Sequence, residues 1–200
     1  MKNVFTLIVF CFLLGQLSAQ KLESAQYLDS YSKNEISLTI GISVNYAVDL
    51  YKIRYYTADL DGNEHIASGL LCVPNSSNLI FPLAVFQHGT VGDRTDVPSN
   101  LRGGFTLPMI FAAFGYVVCA PDFVGLGDSP GVHPYVHADT EASAAVDMLL
   151  AAREYDKDSD NFNLNEQLFI SGYSQGGHAA MAAHRSLELD FSNEFSVTAS

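Results

Sequence analysis

Residues Gln167 to Gly177 read Gln-Leu-Phe-Ile-Ser-Gly-Tyr-Ser-Gln-Gly-Gly, and this stretch decides how the rest is read. A short apolar run ends in Gly172-Tyr173-Ser174-Gln175-Gly176, and a helix-forming stretch, His178 to Leu189, follows at once. Strand, sharp turn and helix with one serine at the tip is the setting of a G-x-S-x-G nucleophile elbow. Gly172 and Gly176 lack a Cβ, so strand and helix can approach closely around the turn. Ser174 then sits at a helix N-terminus, where outward backbone N–H groups favour negative charge. Three fixed positions are a weak signal alone. The periodic segments on either side give it weight.

Working outward, the segments before the elbow alternate in kind. Asp49 to Thr57 sets Tyr51, Ile53 and Tyr55 on one face and Lys52 and Arg54 on the other. Asp61-Gly62 makes a turn, and Ile66 to Val73 is a second apolar run stopped by Pro74, so an antiparallel hairpin is expected. Leu79 to Phe86 reads as a strand covered on both faces, with Pro82 an obstacle in its middle. Leu107, Ile110, Phe111 and Phe114 recur at helical spacing and predict a helix buried along that stripe, with Pro108 in its first turn and Gly115 at its end. Tyr116 to Ala120 is the next strand. Ala138 to Arg153 is a helix with Ala142, Val146 and Leu149 inward, and its Asp139 and Glu141 suit the N-terminal dipole. Phe195 to Ala199 opens another strand. A hairpin followed by alternating strands and helices implies an α/β fold: a mostly parallel sheet with an antiparallel N-terminal hairpin and helices on both faces.

Composition narrows the field. The first 19 residues read as a signal peptide: Lys2 gives a positive start, Val4 to Leu14 is nearly all apolar, and Leu17-Ser18-Ala19 precedes a plausible cut before Gln20. The apolar run is short of the ~20 residues of a membrane span; an uncleaved anchor is the competing reading. Residues 20–200 suffice for one domain, and a secreted or periplasmic protein with no integral membrane segment after signal removal is expected. The formal charge of −12, from 22 acidic and 10 basic residues, repels phosphate backbones, so a nucleic-acid partner is not expected. Cys72 and Cys119 each lie in an apolar run, either as buried thiols or, after export, as one disulfide. No zinc-like cysteine spacing exists. His133 and His137 have a spacing that can hold a metal on a helix, but Pro134 disfavours helix at His133, so no metal is expected.

Four motifs in order carry a resemblance: His88-Gly89-Thr90 after the third strand, Pro121 to Ser129 after the fourth, Gly131-Val132-His133-Pro134-Tyr135 before the second helix, and the Ser174 elbow. The chain resembles the N-terminal half of an α/β-hydrolase, and within that superfamily it is similar to secretory lipases. The resemblance implies a secreted serine hydrolase of carboxylic esters that forms an acyl-enzyme on Ser174, takes a small-molecule or lipid ester, and uses no cofactor. Charge on the carbonyl oxygen then needs two preorganised donors. The backbone N–H of Gln175 is one, and Thr90 is expected to give the other, with Gly89 second. His88, Gly89, Tyr173 and Tyr135 are candidates to line the substrate cleft, although a histidine at 88 more often supports its loop. Asp122 is expected to brace its own loop, and His178 to pack beneath the site. The loop from Val91 to Gly104 is either part of the substrate mouth or an idle surface loop.

A base and an orienting acid should follow the serine in the chain. Only 26 residues follow Ser174, and no histidine follows His184. The expectation is a domain truncated at its C-terminus, inactive by itself, that exposes a sheet edge. A prolyl-type peptidase on the same scaffold and a non-catalytic binding module are the other readings.

Overall fold

A computed structural model describes residues 20–76, 79–158 and 162–200. The expected signal sequence lies outside them. The elements are β1 (Leu22–Tyr31), α1 (Lys33–Ile40), β2 (Ala47–Ala58), β3 (Glu64–Asn75), β4 (Ile80–Gln87), a 3-10 turn (Pro98–Asn100), α2 (Thr106–Ala113), β5 (Val117–Pro121), α3 (Ala138–Asp158), β6 (Asn163–Gly172), α4 (Gln175–Asp190) and β7 (Val197–Ala199). They build one seven-stranded sheet in the order β1-β2-β3-β5-β4-β6-β7. β1, β2, β3 and β5 pair antiparallel. β5, β4, β6 and β7 run parallel.

The β2–β3 hairpin forms where alternation and turn chemistry agree. Its register runs without a break from Ala47↔Asn75 to Ala58↔Glu64. Asp59 closes the turn by accepting from the N–H groups of Asp61 (2.9 Å) and Asn63 (2.8 Å), an Asx arrangement that suits this residue. Ile53 and Tyr55 enter the core on the α3/α4 side of the sheet, and Val48 and Leu50 that on the α1/α2 side. α3 sends Ala145, Val146, Met148, Leu149 and Ala152 into the first core; Ile36 of α1 and Met109, Ala112 and Ala113 of α2 enter the second. Helices therefore cover both faces, as expected.

Pro82 explains its own surroundings. β4 is a central strand, and a proline there removes a ladder donor. Its pairing with β6 jumps from Phe81↔Leu164 to Leu83↔Leu168, and its pairing with β5 starts only at Leu83. Pro82 falls in that irregularity. The cysteines cannot join: β3 and β5 pair Leu71↔Cys119 and Cys72↔Val118. One residue of offset sends Cys72 into one core and Cys119 into the other, and both are free thiols.

Two expectations need correction. The stripe assigned to the core of α2 does not form its buried face. Pro108, Met109, Ala112 and Ala113 are buried, while Leu107 and Phe114 are exposed; the small alanines let the helix lie close on the sheet. β1 and α1, over residues without a clear period, were not expected. β1 slips register between Leu22 and Ser24 and again between Tyr27 and Asp29. Its inward positions therefore fall every third residue, at Leu22, Ala25, Leu28 and Tyr31, which hides the two-residue period of a strand.

Burial pushes the Tyr55 phenol well up from its ordinary value of 10.0, and nearby Asp122 and Asp147 add to this. Burial first, then Tyr155, pushes Tyr51 up to about 12. In the unfolded chain phenols ionise near pH 10. Folding holds these two protonated, so their contribution is complete below pH 10 and declines as pH rises above it, through about 12 for Tyr51. The midpoint of urea unfolding should fall between pH 9 and 11, and Tyr55→Phe should flatten that fall. An unchanged slope in Tyr55→Phe would assign the alkaline loss to other groups.

Candidate active site

β6 delivers the elbow. Gly172 ends the strand opposite Gln87 of β4, and the Tyr173 N–H donates to the Gln87 carbonyl at 3.2 Å. The next residue turns sharply: Ser174 has φ 57° and ψ −119°. A non-glycine residue in such a conformation stores about 1–3 kcal/mol of strain and persists only where its surroundings hold it. Here the Gly176 N–H donates to the Tyr173 carbonyl and the Gly177 N–H to the Ser174 carbonyl, each at 2.9 Å. Ser174 is the residue that caps α4, yet its side chain makes no capping bond and is exposed. The hydroxyl is thus displayed rather than used. Gln175 opens α4, so its N–H has no acceptor inside the helix.

The loop after β4 comes to the same place. A Cβ added to Gly89 would lie 3.6 Å from Ser174 Cβ and 3.3 Å from the ring and the carbonyl of Tyr173. Gly89 therefore lies beside the serine, and Thr90 follows it in the chain. Thr90 Oγ1 bonds the Tyr135 hydroxyl at 2.8 Å, which ties the 131–137 loop to this edge. Tyr173 is 72% exposed and Tyr135 is also open to solvent.

His88 is different from its neighbours. It is 1% exposed and so does not line an open cleft. Its ring lies 4.5 Å from that of Phe123, with Nδ1 on the Gly89 carbonyl (2.7 Å) and Nε2 on the Asp122 carbonyl (3.2 Å). Gly104, at φ 84°, packs its backbone against the His88 Cβ. Asp122 braces the loops around it. Its Oδ2 accepts from the Ser68 hydroxyl (2.6 Å) and its Oδ1 from the Ser99 N–H (3.0 Å). Burial pushes this carboxyl up, and the two serines pull it back. The 91–104 loop is accordingly not idle throughout: Val97 and Ser99 are buried, and Asp96 Oδ1 accepts from the Gly103 N–H at 2.8 Å.

The histidines do not gather. His133 Nδ1 faces the Val124 carbonyl at 2.8 Å, and His137 Nδ1 faces Thr140 Oγ1 at 3.2 Å. Among the described residues no histidine bonds Ser174 and no cluster suits a metal ion. His178 is 41% exposed rather than packed beneath the site, and its Nδ1 donates to Glu141 Oε2 at 2.6 Å. Glu141 is the residue that the sequence concealed. Its place in the first turn of α3 fits a dipole role, which a solvent-facing residue such as Asp139 serves equally well. The structure instead buries it to 1% exposure. Its one sequence signal is the apolar company of Ala142, Ala144 and Ala145.

No family model and no curated protein sequence matches the chain. Solved structures do. The rice cell wall degrading esterase LipA from Xanthomonas oryzae is similar with a TM-score of 0.81 and 33% identity, over 88% of this chain and 48% of LipA. A protein from Legionella pneumophila is similar with a TM-score of 0.80 and 32% identity, over 89% of this chain and 50% of that one. Candida antarctica lipase A is more distant, with a TM-score of 0.58 and 16% identity, over 87% and 41%; that likeness is one of fold. The chain spans about half the length of these proteins.

Proposed function

The chain has an α/β-hydrolase fold, and on that premise we propose that Ser174 is the nucleophile of an exported carboxylic ester hydrolase, esterase- or lipase-like. The observation that carries the reading is the strained, exposed serine at the strand-to-helix turn. Its Oγ attacks the ester carbonyl as a general base takes the hydroxyl proton. Charge gathers on the carbonyl oxygen, which the N–H of Gln175 and the N–H of Thr90 hold. The alcohol leaves with a proton, and water then releases the acid from the acyl-serine. LipA, with the greatest identity among the three, is an esterase, which favours esters over prolyl amides as substrates.

The matched proteins have about as much chain again. We place the general base and its acid in a corresponding part of the complete polypeptide, in the order that the resemblance implies. Export rests on Lys2 and the apolar run from Val4 to Leu14; no helix among the described residues is long and apolar enough to cross a membrane.

The test uses protein expressed from the complete gene. A fluorophosphonate should modify it once, at Ser174, and a panel of acyl esters should turn over faster than prolyl amides. Faster amide cleavage would make it a peptidase. No adduct and no turnover would leave a binding module.

A further inference from the structure

Beside the elbow runs a polar chain, buried at Glu141 and Gln175, whose donors and acceptors take one consistent assignment. A carbonyl only accepts, so His133 Nδ1 donates to the Val124 carbonyl at 2.8 Å. A neutral ring has one N–H, and this leaves Nε2 as an acceptor for the Gln175 Nε2–H, also at 2.8 Å. The same Gln175 amide donates to Glu141 Oε1 at 2.9 Å, and Glu141 Oε2 accepts from His178 Nδ1–H at 2.6 Å. Gln175 is 5% exposed. Turning its amide over would set its oxygen against two acceptors at once, so the side chain has one stable orientation. The elements joined are the loop before α3, the first turn of α3 and the first turn of α4.

We propose that Glu141 is a positioning residue: with His133 it clamps the side chain of Gln175 and thereby fixes the backbone N–H of the residue that follows the nucleophile. This rests on the reading of Ser174 as nucleophile. A donor must be in place before charge develops, and a displacement of about 1 Å costs on the order of 100-fold in rate. The strained turn at Ser174 needs outside support, and the clamp grips the very next residue.

The experiment compares wild type, Glu141→Met, Glu141→Gln and Gln175→Met, all expressed from the complete gene. Two readouts are taken on each: kcat and KM for a soluble acyl ester, and amide hydrogen exchange over residues 174–178. Glu141→Met and Gln175→Met remove the clamp from opposite ends with little change in volume. Each should lower kcat about 10- to 100-fold with KM within about 3-fold, and exchange at the elbow should quicken by about tenfold, because a segment that loses its packing partners opens more often. Glu141→Gln should restore most of the lost kcat, because its oxygen still accepts from Gln175 while half-exposed His178 can move its proton to the other nitrogen. Asp139→Asn, in the same turn but exposed, should change neither readout. Unchanged exchange in both methionine variants overturns the clamp, as does a loss shared between kcat and KM. If wild type shows neither turnover nor a fluorophosphonate adduct, the ester-hydrolase reading fails, and exchange still decides whether the clamp exists.

Discussion

Ser174→Ala in protein from the complete gene should lower ester turnover by about 10⁴-fold or more and abolish fluorophosphonate labelling. The size follows from what the residue does in the proposed reaction. It forms the bond that breaks the ester, and no neighbour can replace it: Ser171 lies within β6 and Ser129 is buried. The fold should be unharmed, because the hydroxyl makes no capping bond. A companion variant separates strain from chemistry. Ser174→Gly also removes the nucleophile, but glycine accepts a φ of 57° at little cost. It should stabilise the protein by about 1 kcal/mol relative to Ser174→Ala, at the lower end of the strain range. Ester turnover retained in Ser174→Ala would move the chemistry elsewhere, and labelling of a second serine would name the place.

The elbow was legible because three local demands coincide within eleven residues: an apolar strand, glycines at a close approach, and a helix that starts at once. The hairpin was legible for the same reason, since alternation and Asx turn agree over residues 47–75. β1 was not, because its two register slips replace a period of two with a period of three. The inner face of α2 was misread because bulk is a poor guide to burial where a helix must approach a sheet closely. Ala112 and Ala113 fit there, and Leu107 does not.

Glu141 was concealed for a different reason. In sequence it is an acid in a first turn, indistinguishable from exposed Asp139 two residues earlier. Its partners lie 34 and 37 residues away, at Gln175 and His178. A buried carboxylate is tolerated only with partners in place, and only the assembled fold shows them. His88 illustrates the converse. As a candidate to line the cleft it fails, while the expectation that it supports its loop holds: its ring is packed on Phe123 beneath that loop.

The second large effect concerns the glycine after Gln175. A Cβ at Gly176 would overlap the Gln87 carbonyl oxygen and approach the His88 carbonyl oxygen to 2.8 Å. These are backbone atoms at the end of β4, so no side chain can swing aside. Either α4 lifts from the sheet or β4 shifts, and both break the register that sets Gly172 opposite Gln87. Gly176→Ala should therefore cost about 3 kcal/mol or more, at the upper end of overpacking. Labelling at Ser174 should disappear with it, since Gly89 beside the serine follows β4 directly. The control is the next residue. A Cβ at Gly177 would meet nothing within 4 Å, in the same helix and without a positive φ. Gly177→Ala should stabilise the protein by roughly 0.5–1 kcal/mol, the ordinary helical preference for alanine, and leave labelling intact. Chemical denaturation of the two variants gives opposite signs if the contact between α4 and β4 is what the first glycine serves. Equal signs would mean that helix propensity alone governs both positions and that the elbow does not depend on that approach.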